Sequence, residues 1–169
     1  MEYLMLSGGQ FSKSRKHAVW LPSFLDRFDP DTLRYYLGIN MPENHDTDFR
    51  WKEFVDKVNN ELIGNYGNFV NRVLTLTHRV NTESLENPLS LYDKITTENQ
   101  KILIEEIIIL QNKATESLER QRFKEALRYI MTISQKGNIL LQNSAPWKHL
   151  NSEESLEKDN LKISKNKEV

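Results

Sequence analysis

From Trp51 onward the apolar residues Trp51, Val55, Val58, Leu62, Tyr66, Phe69, Val73 and Leu76 recur three or four positions apart without a break. That spacing predicts one face of a long amphipathic helix, running from Asp48 to about Asn81. Asp48 is expected to cap it. Gly64 and Gly67 lie inside it, and each costs about 1 kcal/mol relative to alanine in a helix interior. Close approach of a second helix or a ligand is the expected compensation.

Upstream, residues 2–6 are short and β-prone and lead into Ser7-Gly8-Gly9-Gln10, a hairpin-type turn. A short helix follows around Pro22, with Phe24, Leu25 and Phe28 inward. Asp29-Pro30-Asp31 starts another over Thr32–Leu37, and Gly38 is expected to end it. Residues 40–48 read as a polar connection, and a domain boundary is placed there. Downstream, the segment after Asn81, which contains Pro88, crosses to a second long helix. Thr97 caps that helix, which runs to about Glu119 with Leu103, Ile107, Leu110, Ala114 and Leu118 as its core stripe. Ile104, Ile108 and Ile109 widen the apolar face, so this helix is expected to be covered on two sides. A third helix spans about Arg122–Asn143 with Phe123, Leu127, Ile130, Ser134, Gly137 and Leu141 on its seam. Pro146 stops it. The expected fold is mainly α: a short β-hairpin and small helical region over 1–45, a helical bundle over 46–151, and a charged tail over 152–169. That tail has too few apolar residues to offset its ordering entropy, so it is either disordered or the start of a truncated element.

Composition adds exclusions. Among 169 residues, 23 Lys and Arg face 24 Asp and Glu, a net charge of −1. Bulk electrostatic attraction to polyanions is therefore unsupported, and any nucleic-acid contact must rest on a local basic patch or on base recognition. Cysteine is absent, which removes disulfides and thiolate metal sites. The four histidines, His17, His45, His78 and His149, are scattered, so no metal site is expected. No apolar run approaches the roughly 20 residues of a membrane span, and the start lacks the basic region of a secretory signal. A cytoplasmic, membrane-free protein is expected.

Three polar constellations stand out. Phe11-Ser12-Lys13-Ser14-Arg15-Lys16 is a basic loop flanked by hydroxyls, a composition suited to polyphosphate. Asn68 and Arg72 lie four apart on one side of the long helix. Ala145-Pro146-Trp147-Lys148 follows the third helix directly. Taken singly, each has a plain alternative: a solvated turn, a solvated helix face, and a tryptophan packed over a helix end.

In order and spacing the three resemble one family. Gln10-Phe11-Ser12-Lys13-Ser14 is similar to the KMSKS signature of class I aminoacyl-tRNA synthetases. Phe28-Asp29-Pro30-Asp31, Leu33-Arg34-Tyr35-Tyr36-Leu37, Asp48-Phe49, Gly67-Asn68-Phe69 with Arg72, and Ala145-Pro146-Trp147-Lys148 resemble the methionyl-tRNA synthetases in particular. The likeness covers roughly residues 1–150. It departs at Gln10, which stands where the family's first signature lysine lies. Neither the HIGH motif nor a zinc knuckle occurs in the chain, so the resemblance is to the C-terminal portion of such an enzyme.

What the resemblance implies is specific. Residues 1–45 would be the end of the catalytic domain, with its stem-contact region, and 46–151 the anticodon-binding domain. Lys13, with Ser12 and Ser14, would act catalytically. Lys13, Gln10 and Arg15 would contact the phosphates of ATP, a substrate that enters with Mg2+. Asn68, Arg72, Pro146 and Trp147 would read the anticodon loop of tRNA(Met). ATP and methionine would be held mainly by a missing N-terminal half, so this chain alone is expected to be inactive. Three other readings remain open: a stand-alone, non-catalytic helical tRNA-binding module, a class I synthetase of another amino-acid specificity, and a helical interaction protein with no RNA role.

Overall fold

A computed structural model describes residues 2–79 and 97–148. The expectations for the Pro88 segment, for the end of the long helix near Asn81 and for the tail from 152 lie outside the described residues. Strand β1 (Leu4–Leu6) pairs in parallel with β2 (Thr47–Phe49), Leu4 opposite Thr47 and Leu6 opposite Phe49. The hairpin-type turn after β1 is present. Leu6 and Gly9 exchange backbone hydrogen bonds of 2.8 and 3.0 Å, and Ser7 and Gly8 both have positive φ, 49° and 81°. Two successive positive φ values mark the primed turns that suit the twist of a hairpin. The strand's longer partner, however, is β2, in the stretch whose polar composition predicts a connection. Pairing of β1 with β2 and the main core both draw on residues from either side of position 45.

Asp48 does not cap the long helix. It lies within β2, where its carboxylate accepts hydrogen bonds from the Gly8 backbone N–H (2.9 Å) and from Arg50 Nε (2.7 Å). Arg50 occupies the cap position instead. Helix α1 is short (Leu21–Leu25) and α2 runs Pro30–Ile39. Asp29 caps α2 by accepting the Asp31 N–H at 2.8 Å, with Pro30 in the first turn, where its missing N–H costs nothing. Gly38 does not end α2. A Cβ there would stand 2.8 Å from Leu127 Cδ1, so the glycine leaves room for a neighbouring helix.

The long helix is continuous from Trp51 to Arg79, but it changes pitch. An α-helical start, α3 (Trp51–Lys57), passes into a π-helical segment (Val58–Gly67) and then into α4 (Asn68–Arg79). The expected stripe is out of phase at its start. Phe54 and Val58 are buried, while Trp51 and Val55 are each 44% exposed. The π-helical segment also accounts for the glycines. A Cβ on Gly64 would lie 2.9 Å from the Asn59 carbonyl oxygen, and one on Gly67 would lie 3.3 Å from that of Leu62. Each carbonyl is five residues back, as the i→i+5 ladder of a π-helix requires. The crowding comes from within the helix, and no second helix contributes to it.

Helix α5 (Glu98–Glu119) packs along α6 (Phe123–Ser144). Thr97 precedes α5 as expected. Ser117 takes the inward position assigned to Leu118, which is 45% exposed. Ile108 and Ile109 are exposed and Ile104 is half-buried, so α5 is covered on one side among the described residues. The two helices reverse through Gln121, in the left-handed region at φ 58°, with the Arg122 N–H donating to the Ser117 carbonyl at 2.8 Å.

Two kinds of packing hold these elements. Under β1, β2, α1, α2 and α3 lies a mostly aromatic core of Leu6, Phe24, Tyr36, Phe49, Phe54 and Val58. Its rings meet largely edge to face, as in Tyr36–Phe49 at 5.1 Å and Phe24–Phe54 at 5.5 Å. Helix α6 is instead seamed with small buried residues, Ala126, Ser134 and Gly137. At Gly137 the Phe69 ring of α4 comes so close that a Cβ would meet it at 2.3 Å. Here a glycine does serve close helix approach, at Gly137 and not at Gly64 or Gly67.

Candidate functional site

The basic loop is a small closed hairpin. Ser12 and His17 exchange two backbone hydrogen bonds of 2.9 Å each, and the Lys16 N–H donates to the Lys13 carbonyl at 3.1 Å. Ser12 Oγ lies 3.3 Å from Ser14 Oγ and accepts the Arg15 N–H at 3.3 Å. His17 Nε2 sits 2.7 Å from the Leu6 carbonyl, which ties the base of the loop to the end of β1. The serines are thus spent on loop shape. The side chains of Gln10, Lys13, Arg15 and Lys16 remain exposed. The loop presents cations on a pinned base, an arrangement that can follow a polyphosphate without itself refolding.

The helical constellations converge where α6 ends. After α6, Ala145 enters the left-handed region (φ 42°, ψ 52°) and its N–H donates to the Leu141 carbonyl at 3.0 Å. Pro146 then turns the chain, and Trp147 is half-buried at the start of a new helical turn. The Arg72 guanidinium carbon stands 5.5 Å from the centre of the Trp147 ring, within cation–π range. Arg72 also donates to Gln142 Oε1 on α6 at 3.2 Å.

Around this pair runs an open groove of about 210 Å³, lined by Asn71, Arg72, Thr75, Leu76, Arg79 and Trp147. The structure therefore joins Arg72 to Trp147. Asn68 lies one turn earlier, exposed, and outside the groove wall. Asn71, Thr75, Arg79 and Gln142 were not singled out from sequence. Thr75 and Arg79 follow Arg72 by three and seven residues, helical neighbour spacing, and Asn71 directly precedes it, a signal available only once Arg72 is known to matter.

Between loop and groove, the π-helical segment is fastened by half-buried polar contacts. Asn65 Nδ2 donates to the Met131 carbonyl at 2.8 Å, and Asn138 Nδ2 donates to the Asn65 carbonyl at 2.9 Å. Glu61 accepts hydrogen bonds from Tyr35 Oη and from Lys57 Nζ. Burial alone would raise the Glu61 carboxyl, but those hydrogen bonds outweigh it and hold the group below the ordinary glutamate range. Tyr35 is pushed well above the ordinary phenol value, first by burial and then by the Glu61 carboxylate it donates to. Among the described residues no group of three or more His, Cys, Asp or Glu could hold a metal ion, and no helix is long and apolar enough to cross a membrane.

Comparison with known proteins decides the family. Residues 1–74 match the family described as tRNA synthetases class I (M). The chain is 40% identical over 150 residues to the methionine–tRNA ligase of Methanopyrus kandleri, a match covering 87% of this chain and 21% of that protein. It belongs to the methionyl-type class I tRNA synthetases. Similar values hold for methionine–tRNA ligase 2 of Bacillus cereus, 38% identical with 87% and 25% covered. The methionine–tRNA ligase of Flavobacterium johnsoniae is 41% identical, with 87% and 20% covered. The chain spans about a fifth to a quarter of the length of these relatives. Within this synthetase segment, the family match over residues 1–74 takes in the basic loop, Asn68 and Arg72, while Trp147 lies beyond it.

Proposed function

We propose that the chain is part of a cytoplasmic methionine–tRNA ligase that activates methionine with ATP and charges tRNA(Met). On this reading the chain supplies two working surfaces, a pyrophosphate-contacting loop at 12–17 and an anticodon-recognition domain from about residue 46. Methionine would attack the α-phosphate of ATP, brought in with Mg2+, to give methionyl-adenylate and pyrophosphate. The methionyl group would then pass to the tRNA 3′ end. Lys13 follows the charge that moves onto the β- and γ-phosphates, Arg15 adds a second cation, and Gln10 donates a hydrogen bond without charge. Ser12 and Ser14 keep the loop in shape. In the intact enzyme, loss of Lys13 should slow adenylate formation on the order of 10²–10³-fold, as for other donors aimed at developing charge.

The observation that carries the tRNA half is the Arg72 guanidinium over the Trp147 ring, at the edge of an open groove. Splayed RNA bases are held by stacking on aromatic or guanidinium planes and by hydrogen bonds to their edges. Trp147 and Arg72 give the planes, Arg72 and Asn68 give edge donors, and Pro146 fixes the approach of Trp147. The test is binding of the chain to a stem-loop carrying the CAU anticodon, compared with the same hairpin carrying a scrambled loop. A preference for CAU that is lost in Trp147→Ala is the expected result. Equal binding to both hairpins would overturn it.

A further inference from the structure

The turn of the basic loop carries two features that cost stability. The first is charge. Lys13, Arg15 and Lys16 fall within four residues, and no Asp or Glu occurs between Glu2 and Asp26. Asp48, whose carboxylate accepts the Gly8 N–H just past β1, is already bonded to Arg50 at 2.7 Å. Among the described residues none of the three cationic groups makes a hydrogen bond or ion pair, so their mutual repulsion stands uncompensated. The second is backbone strain. Lys16 has φ 54°, the only positive φ from Ser12 to His17. That left-handed residue closes the hairpin, where the Lys16 N–H donates to the Lys13 carbonyl at 3.1 Å and the Ser12–His17 backbone pair follows. Glycine adopts this conformation without steric cost and asparagine with little, whereas the Cβ of a lysine crowds the following carbonyl.

The hairpin uses only the backbone of residue 16, so loop shape does not account for its side chain. Strained residues concentrate at ligand clamps, where the arrangement does something a relaxed one would not. A multiply charged anion would cancel the repulsion within the turn, and a third cation strengthens its hold. Gln10 adds no charge, so the positive charge of the loop rests on residues 13, 15 and 16. Lys13 and Lys16 are rooted on either side of one backbone hydrogen bond, and their flexible stems can converge on one phosphate group.

We infer that Lys16 is a third cationic contact of the loop, holding one group of a bound polyphosphate together with Lys13. This rests on the phosphate reading of the loop and deepens it. Charge crowding and backbone strain coincide at Lys16, so stability and anion affinity should move in opposite directions when it is replaced.

The test pairs two measurements on the full chain: urea unfolding, and binding of inorganic tripolyphosphate at low ionic strength. Lys16→Asn should raise the urea midpoint and Lys16→Gly should not lower it. Both should weaken tripolyphosphate binding about fivefold, the upper end for one exposed ion pair. Lys16→Arg should keep the parent affinity, and so should Lys101→Gln, the same loss of charge on α5. Lys13→Gln should weaken binding at least as much as Lys16→Gly. Parent-like affinity in both uncharged Lys16 variants, beside a weakened Lys13→Gln, would overturn the inference and leave the loop reading standing. A midpoint lowered in both would also overturn it, as would an equal loss of affinity in Lys101→Gln, which would reduce the effect to net charge. No effect of Lys13→Gln, or no binding by the parent chain, would overturn the loop reading itself.

Discussion

Alanine at position 137 would set a methyl carbon 2.3 Å from Phe69 Cε2, and 2.7 and 2.9 Å from two further atoms of that ring. On an open helix face the same change would stabilise, by up to about 1 kcal/mol, because glycine is the poorer helix former. Here the ring cannot swing aside freely, since Phe69 stands on the first turn of α4 against the small-residue seam of α6. Forcing extra volume into such a contact costs about 1–3 kcal/mol. The net expectation for Gly137→Ala is a loss of about 1–2 kcal/mol, which lowers the melting temperature by several degrees in a chain of this size. Urea unfolding followed by circular dichroism measures it. Phe69→Leu in the Gly137→Ala background should recover part of the loss, with a coupling of at least about 0.5 kcal/mol. Gly137→Ala at or above the stability of the parent would refute the shared-space argument. The variant also has a functional readout. Asn68 and Arg72 flank Phe69 on α4, so displacing the ring should weaken the CAU preference as well.

Three smaller perturbations probe other joints. The Asp48 carboxyl is held below its ordinary value, chiefly by the Arg50 side chain and with help from the Gly8 N–H. Its contribution is therefore complete above the unfolded carboxylate pKa near 3.9 and is lost as pH falls through the lower folded value. Asp48→Asn should unfold less stably near neutrality and show a shallower acid transition, read from unfolding midpoints across pH. Ala145→Gly relieves a left-handed alanine, worth about 1–2 kcal/mol, against an unfolded-state cost of about 0.5–1 kcal/mol. A rise in unfolding free energy of up to about 1.5 kcal/mol, with binding unchanged, is expected, and Ala145→Val should lose stability. Tyr35, raised by burial and then by Glu61, contributes stability below the ordinary phenol range that is lost as pH rises past it. Glu61→Gln should let Tyr35 ionise at lower pH, seen in ultraviolet titration against a Tyr35→Phe control.

Sequence reading located the long helices well because each carries an apolar face over many turns, and α5 and α6 fall within a residue or so of their expected bounds. The family motifs marked Arg72 and Trp147 before any contact between them was visible. What escaped had no local signature. Thr47-Asp48-Phe49 is too short to display alternation, and its partner lies forty-odd residues away, so a parallel strand read as a linker and its aspartate as a cap. A spacing of three or four residues fits α and π ladders alike over one or two turns, so the change of pitch after Lys57 was hidden. The glycines were read as open to a neighbour because crowding by a carbonyl five residues back arises only in the wider ladder. Asn71, Thr75 and Arg79 are ordinary polar helix residues until Trp147 is folded against them.

The π-helical segment has one more consequence, in chain length. Each of its turns takes up more residues than an α-helical turn. Removing one residue between 58 and 67 would let the i→i+5 ladder tighten toward i→i+4, and Phe54 on one side and Phe69 on the other would keep their facing. The same removal within α3 or α4 would rotate everything beyond it by about 100°. The segment is slack stored inside a rigid rod. It lets the aromatic body and the Arg72 face stay in phase while the helix between them gains or loses a residue.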